Sequence, residues 1–388
     1  MQRVWGQLGL PFFVFAALAF GEPAPAFEFK GFMDVDYASS STNFPAGVID
    51  HNNKTGGFSI GSLDLYLAEP IGDRLEVLSE IAIEPDQVFG QEGVDVERIQ
   101  VGYIVSDLLK IRAGRFHTVL GFWNTAYHHG SEMQTTIERP EFLNFEDHGG
   151  ILPVHAVGLW FSGRYRATGL AVLNYDLMLS NGSRITNIGG NLPATALPNL
   201  DVIKGGSLDM NLIGDDKPAK QVSFHLALTP SALMDFRVGL FGDITKVQGY
   251  TDGQNEDLVM TVAQQIYGAD VEYINQDVEF ISEYYHFLDR DQMGGTGVHH
   301  SKAFYAQLGV PLRDRVIPYF RYEQASLNPQ DPYFFNQALM GYQKSIGGVR
   351  YNLTSNSSLK AEVQWVSPDV GYHFQSYTKY KVQWAFGF

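Results

Sequence analysis

The sequence predicts an all-β protein: one transmembrane antiparallel β-barrel of about sixteen strands, with fourteen to eighteen compatible with the pattern. Three observations carry this. Apolar and polar residues alternate with period two along many segments, down to the last residue. Short and long connectors alternate between those segments. An apolar stretch of export-signal length stands at the start. The 388 residues are 45% hydrophobic, 13% aromatic and 18% charged, and mean hydropathy is −0.12. Beyond the N-terminus no apolar run approaches the roughly 18 to 20 residues of a spanning helix, which excludes a helical membrane protein. This much aromatic and aliphatic content also excludes disorder. Cysteine is absent, so disulfide scaffolds, thiolate metal sites and thiol catalysis fall away. A net charge of −16 leaves no electrostatic footprint for nucleic acid.

The N-terminal segment comes first. Residues 1–3 are positively charged, residues 8–20 (LGLPFFVFAALAF) are apolar, and residues 21–26 (GEPAPA) end in a small-residue cleavage pattern. Residues 1–26 are therefore expected to be a signal peptide and residues 27–388 the barrel. An uncleaved anchor is the alternative, but the run is short and lacks a stop-transfer flank.

Strand signals follow in order. Leu63, Leu65 and Leu67 oppose Ser62, Asp64 and Tyr66; Leu75, Val77, Ile81 and Ile83 oppose Glu76, Glu80 and Glu84. Ile99, Val101, Tyr103 and Val105 oppose Arg98, Gln100 and Gly102. Further along, Val222, Phe224, Leu226 and Leu228 oppose Ser223 and His225, and Leu359, Ala361, Val363 and Trp365 oppose Lys360, Glu362 and Gln364. The clearest strand is the last. Thr378, Tyr380, Val382, Trp384, Phe386 and Phe388 form one face, and Lys379, Lys381 and Gln383 mark the other. Short connectors are read at 70–74, 106–108, 163–166, 230–235, 275–277, 311–315 and 354–358. Long ones are read at 39–55, 85–94, 117–155, 181–219, 245–262, 288–301, 326–340 and 368–376. Alternating tight turns and long loops is the layout of a membrane barrel. A soluble sandwich or propeller is disfavoured because no blade-length repeat is present.

The aromatic strand ending at Phe388 resembles the C-terminal insertion signal of bacterial outer-membrane proteins. Residues 109–121 (LKIRAGRFHTVLG) and 174–182 (NYDLMLSNG) resemble strand and loop segments of porins of the phosphate-selective O/P group. The resemblance implies a Gram-negative outer-membrane porin, a water-filled channel for passive diffusion. It also implies basic residues along an anion path. This chain is acidic, so phosphate selectivity does not carry over.

If the apolar parity faces lipid, the polar parity lines the lumen. That assigns Asp64, Glu76, Glu80, Asp176, Asp270 and Glu272 to the lining, with Arg98, Lys110, Arg112, Arg321, Lys379 and Lys381. Each serves equally well as a brace between strands. The acidic excess favours cations mildly. The connector 117–155 is the candidate constriction, carrying His117, His128, His129, Glu132, Arg139, Glu146, Asp147 and His148. Imidazole with carboxylate is a donor set for zinc, copper or nickel, which makes His128, His129, His148 and His155 candidate metal ligands. Adjacent histidines point apart in extended chain, so a hydrogen-bonded constriction loop without metal is the competing reading. Two alternatives to a general porin therefore stand: a channel specialised for a divalent metal of the zinc type, and an outer-membrane hydrolase. Against the hydrolase, the outer-membrane phospholipase family has a His two residues before its Ser-Asn, and here Met178 precedes Ser180 and Asn181. No cofactor is called for. The expected partners are outer-membrane lipid and small hydrophilic solutes, and a homotrimer is compatible with a barrel of this size.

Overall fold

A computed structural model describes residues 28–42, 56–85, 92–127, 132–143, 150–189, 206–209, 219–251, 257–313, 315–337, 339–369 and 376–388. The expected signal peptide lies outside these residues. The strands in chain order are β1 (Glu28–Ser40), β2 (Gly57–Ile71), β3 (Leu75–Pro85), β4 (Glu92–Ser106), β5 (Leu109–His117) and β6 (His155–Ala167). They continue with β7 (Ala171–Asn181), β8 (Arg184–Ile188), β9 (Ser207–Asp209), β10 (Lys220–Pro230), β11 (Phe236–Thr251) and β12 (Leu258–Ile274). The last six are β13 (Glu279–Asp291), β14 (Val298–Gly309), β15 (Val316–Ser326), β16 (Tyr342–Thr354), β17 (Ser357–Pro368) and β18 (Tyr377–Gly387).

Sixteen of these strands form a closed antiparallel barrel, as the sequence predicts. Each pairs with its neighbours in chain order, and β7 pairs with β10 across the short pair β8 and β9. Closure is made by β18 on β1, from Phe32 opposite Gly387 to Ser40 opposite Lys379. Gly31 and Phe388 exchange two main-chain hydrogen bonds of 2.9 Å at the end of that seam. Closing the sheet leaves no unpaired edge for hydrocarbon to meet.

The period of two sorts side chains as expected. On β10, Leu226 is 45% exposed on the outside while His225 is 2% exposed inside. On β18, Tyr380, Val382 and Trp384 are outside, and Lys379 and Gln383 are buried inside. A bulge opposite Met33 and Val35 shifts the register in β2. It lets Phe58 and Ile60 face outward although Leu63, Leu65 and Leu67 have the other parity. Glycine suits the shift, because a Cβ on Gly61 would stand 1.9 Å from Asp34 Oδ2 and the carboxylate would have to move.

Several boundaries differ from the sequence reading. The expected connector 163–166 is strand, and β6 runs on to Ala167. Gly163, which reads as a turn signal, sits where a Cβ would meet Leu108 O at 2.1 Å. The expected loops 245–262 and 288–301 are mostly strand, since β11 extends to Thr251, β12 starts at Leu258, β13 ends at Asp291 and β14 starts at Val298. The cause is an inward apolar core. Phe241, Val247, Met260, Val262, Ile266, Ile281, Tyr285, Phe287 and Tyr305 point into the barrel and are buried. Apolar residues on both faces of these strands erase the alternation that sequence reading depends on.

That core is completed by connectors folded inward. A short helix α1 (Phe122–Ala126) contributes Trp123, and a 3₁₀ turn (Glu141–Leu143) contributes Phe142 and Leu143. The helix α2 (Pro332–Phe335), capped by Asp331 and started by Pro332 as helix starts favour, contributes Tyr333 and Phe334. From β8, Ile185 joins the same cluster. The barrel interior is thus divided: against β11–β16 the loop packs on an apolar cluster threaded by buried polar side chains such as Asp243, Glu283, Arg321 and Lys344, and against β1–β7 the inner wall is lined mainly by polar and charged side chains.

The outward face is tested by Leu226→Arg, placed mid-strand between apolar neighbours. We expect the barrel to lose about 2–4 kcal/mol of stability when refolded into vesicles. Unchanged stability would contradict the assignment of this face to lipid.

Candidate functional site: an inward-folded loop and the cavity beside it

The connector between β5 and β6 leaves the wall at Thr118 and crosses the interior. Its path is fixed by pairing main-chain groups with side chains of the far wall, because a buried backbone group without a partner is costly. Trp123 N donates to Glu283 Oε1 at 2.6 Å, Ile137 N to Glu362 Oε1 at 2.6 Å and Glu141 N to Glu323 Oε2 at 2.6 Å. Phe142 N donates to the Tyr342 hydroxyl at 2.9 Å. The loop carbonyls are met by cations. Arg321 donates to Glu138 O at 2.8 Å and to Arg139 O at 3.0 Å, Arg350 to Gln134 O at 2.8 Å, and Lys360 to Thr136 O at 3.0 Å. Arg321 and Lys360 are almost wholly buried in doing so.

One carboxylate gathers the strap. Glu138 pairs with Lys344 at 3.0 Å, pairs closely with Lys381, and accepts from Gln364 at 3.0 Å. Glu141 pairs with the same Lys344 at 2.8 Å. Burial pushes the Glu138 carboxyl up, but the ammonium groups of Lys344, Lys381 and Lys379 more than offset it, and it lies well below its ordinary value of 4.5. Burial and Lys344 act in the same opposed way on Glu141, which is also lowered. Two anions among three cations hold the loop to β16, β17 and β18.

The other wall is laced by ion pairs. Arg98 pairs closely with Glu80 and lies 5.3 Å over the Tyr66 ring. Lys110 pairs closely with Glu76, and Arg112 approaches Glu76 at 3.5 Å while stacking 4.0 Å over Trp160. Trp160 Nε1 donates to Asp176 at 2.9 Å. Farther round, Arg237 joins Asp270 at 3.1 Å and Glu272 at 2.8 Å, and His225 lies 2.7 Å from Asp270. Between this wall and the loop lies a cavity of about 240 Å³ lined by Lys30, Phe32, Tyr66, Ala68, Arg98, His117, Thr125, Ala126, Tyr127 and Met133.

The expected lining residues thus divide by role. Arg98 borders the cavity. Glu76, Lys110, Arg112, Asp176, Asp270 and Glu272 form ion pairs and hydrogen bonds along the inner wall. Asp64 is buried and accepts from Ser62 at 2.6 Å, and Glu80 is buried behind Arg98. Arg321 and Lys381 hold the loop, and Lys379 is buried near it. Of the expected loop residues, Glu132 is bound by Arg350 at 3.0 Å and Arg139 supplies a carbonyl. His128, His129, Glu146, Asp147 and His148 lie outside the described residues. His117 and His155 face each other with ring centres 5.1 Å apart, and His155 lies 2.8 Å from Glu97. Among the described residues no three His, Asp or Glu side chains are placed to hold a metal ion. Lys344 and Arg350 escaped the sequence reading because Gly347 and Gly348 interrupt the alternation of β16. The inward parity of Tyr342, Lys344 and Ile346 was the signal available.

No protein-family profile matches the sequence, and no curated protein matches it. Solved structures do. An anion-selective porin from Comamonas acidovorans superposes with a TM-score of 0.57 at 13% identity, over 94% of this chain and 99% of that one. OmpT in trimer form, an outer-membrane protein of Vibrio cholerae, gives 0.54 at 12% identity, covering 94% and 99%. The outer-membrane channel DcaP of Acinetobacter baumannii gives 0.54 at 11% identity, covering 93% and 97%. The fold is that of an outer-membrane porin barrel. At these identities the likeness is one of architecture.

The Glu138 strap gives a prediction with a defined sign. A depressed folded-state pKa contributes stability that is complete above 4.5 and is lost as pH falls through the depressed value. Loop anchoring should therefore be unchanged from pH 7 to about 5 and weaken only in stronger acid. Glu138→Gln leaves Lys344 and Lys381 without their shared anion. It should cost about 3 kcal/mol of anchoring, read at pH 7 as larger and noisier single-channel steps.

Proposed function

We propose that the chain is a passive channel, admitting small hydrophilic solutes or ions through the passage between the strapped loop and the β1–β5 wall. The observation that carries this reading is the divided interior. One half is closed by a loop whose polar groups are satisfied by the wall. The other keeps a cavity bordered by charged and aromatic side chains. Groups aimed inward remain hydrated there, as a water-filled barrel requires. No turnover chemistry is needed. Met178 is buried beside Ser180, which leaves the hydrolase reading without a base at that position.

The finer likeness to the phosphate-selective O/P group rests on residues 109–121 and 174–182, which supply β5 with the start of the loop, and most of β7. Homotrimerisation is supported by analogy with the trimer form of OmpT. Ion preference follows from two opposed fields. The net charge of −16 acts over a Debye length of about 30 Å at 0.01 M salt and favours cations. At about 1 M the length falls to about 3 Å, and an ion meets the side chains bordering the cavity, Lys30 and the Glu80-paired Arg98 among them.

Single-channel recording of the refolded chain in a planar bilayer tests both points. We expect stable open steps, a reversal potential of mild cation preference in dilute salt, and its weakening or reversal near 1 M. Lys30→Gln should move the concentrated-salt value toward cations. Absence of steps would remove the channel reading, and anion preference in dilute salt would remove the account of selectivity.

A further inference from the structure

The outward face of β11–β14 departs from the acidic character of the chain. Toward the long connector that joins β13 to β14, the outward positions become basic. Lys246, Arg290, His300 and Lys302 are all exposed, alternating with buried inward neighbours. Register sets their spacing. Lys246 lies opposite Ala263 and Ala263 opposite Arg290, so these three form one row. Tyr267, His286 and Lys302 form another. The two long cations of the first row are separated by one strand carrying a methyl group, a gap of roughly 10 Å at sheet spacing.

The position of this patch is as telling as its charge. Nearer the short turns, the outward residues of the same strands are apolar or aromatic, including Tyr284, Phe304 and Leu308. Tyr267 stacks on His286 with ring centres 4.7 Å apart, and the Tyr284 hydroxyl lies 3.3 Å from His286 Nδ1. His286 in turn lies 3.0 Å from His300. Exposed tyrosines at the upper edge of an apolar band mark the boundary between hydrocarbon and headgroups. Lys302 stands level with Tyr267, and Lys246 and Arg290 stand just beyond it, on the side of the long loops and hence of the outer leaflet. Among the described residues none of Lys246, Arg290 and Lys302 has a carboxylate in salt-bridge reach. Of the two acids flanking Arg290, Asp289 is buried on the inward face, and Asp291 is occupied by the turn: it accepts from the main chain of Met293, Gly294 and Thr296 and from the Thr296 hydroxyl.

We propose that this patch binds the phosphate-bearing headgroups of outer-leaflet lipid, with Lys246, Arg290 and Lys302 supplying the charge and Ala263 leaving the space between them. The inference does not rest on the channel reading. It requires only that the outward apolar band lie in a membrane.

The test uses the full chain refolded into phosphatidylcholine vesicles, with spin-labelled phosphatidic acid or spin-labelled phosphatidylcholine as the probe. Wild type should hold phosphatidic acid at its surface several-fold in preference to phosphatidylcholine, less so at high salt. The K246Q/R290Q/K302Q variant should lose most of that preference, while K246R/K302R keeps it and both variants conduct as wild type does. An undiminished preference in the triple variant would overturn the proposal. So would loss of the wild-type preference on adding inorganic phosphate at constant ionic strength, which would mark a free-ion site. A changed oligomer mass in the triple variant with lipid preference intact would assign the patch to a second copy of the chain instead.

Discussion

Everything in this molecule depends on the seam between β1 and β18. A sheet in hydrocarbon can leave no row of amides and carbonyls unpaired, because each such group costs several kcal/mol. The seam satisfies this over nine residue pairs from Phe32 to Ser40 and continues to the exchange between Gly31 and Phe388. Once the sheet is closed, inside and outside become distinct solvents. The outer parity then answers to lipid and the inner one to whatever fills the barrel.

What fills it is not uniform. Against β11–β16 an inward cluster of aromatic and aliphatic side chains packs on Trp123, Phe142 and Leu143 of the crossing loop, with buried charges such as Glu283, Arg321, Glu323 and Lys344 set among them. Against β1–β5 they are charged and paired. The loop joins the two regimes, burying apolar residues on one side while its own main chain is satisfied by Arg321, Arg350, Lys360, Glu323 and Glu362. Charges buried this deeply are costly unless fully partnered. The loop backbone and the Glu138 and Glu141 carboxylates provide those partners. The charges usually credited to a lumen are here divided between lining a cavity and fastening the loop that borders it.

The barrel was largely legible from sequence, and the site was legible only in part. Strands bathed by lipid on one side and by polar groups on the other, such as β10 and β18, declare themselves through strict alternation. Where the interior is dry, as at Val247, Met260 and Ile266, both parities are apolar and the period fades, so strands read as loops. Gly163 looked like a turn signal but marks a close approach within a strand. The crossing loop was recognisable by length. Its anchors were not, because Lys344 and Arg350 lie about 200 residues away in sequence and nothing local links them to Glu138.

The divided interior also separates two dimensions that strand number is usually taken to fix together. Circumference is set by how many strands close the ring. The room left inside the ring is set by where one polar strap fastens a loop. A lineage carrying this barrel can therefore reshape its interior by editing a few side chains on β15–β18, leaving the outward-facing wall untouched. The space beside the loop is in effect inherited separately from the cylinder that contains it.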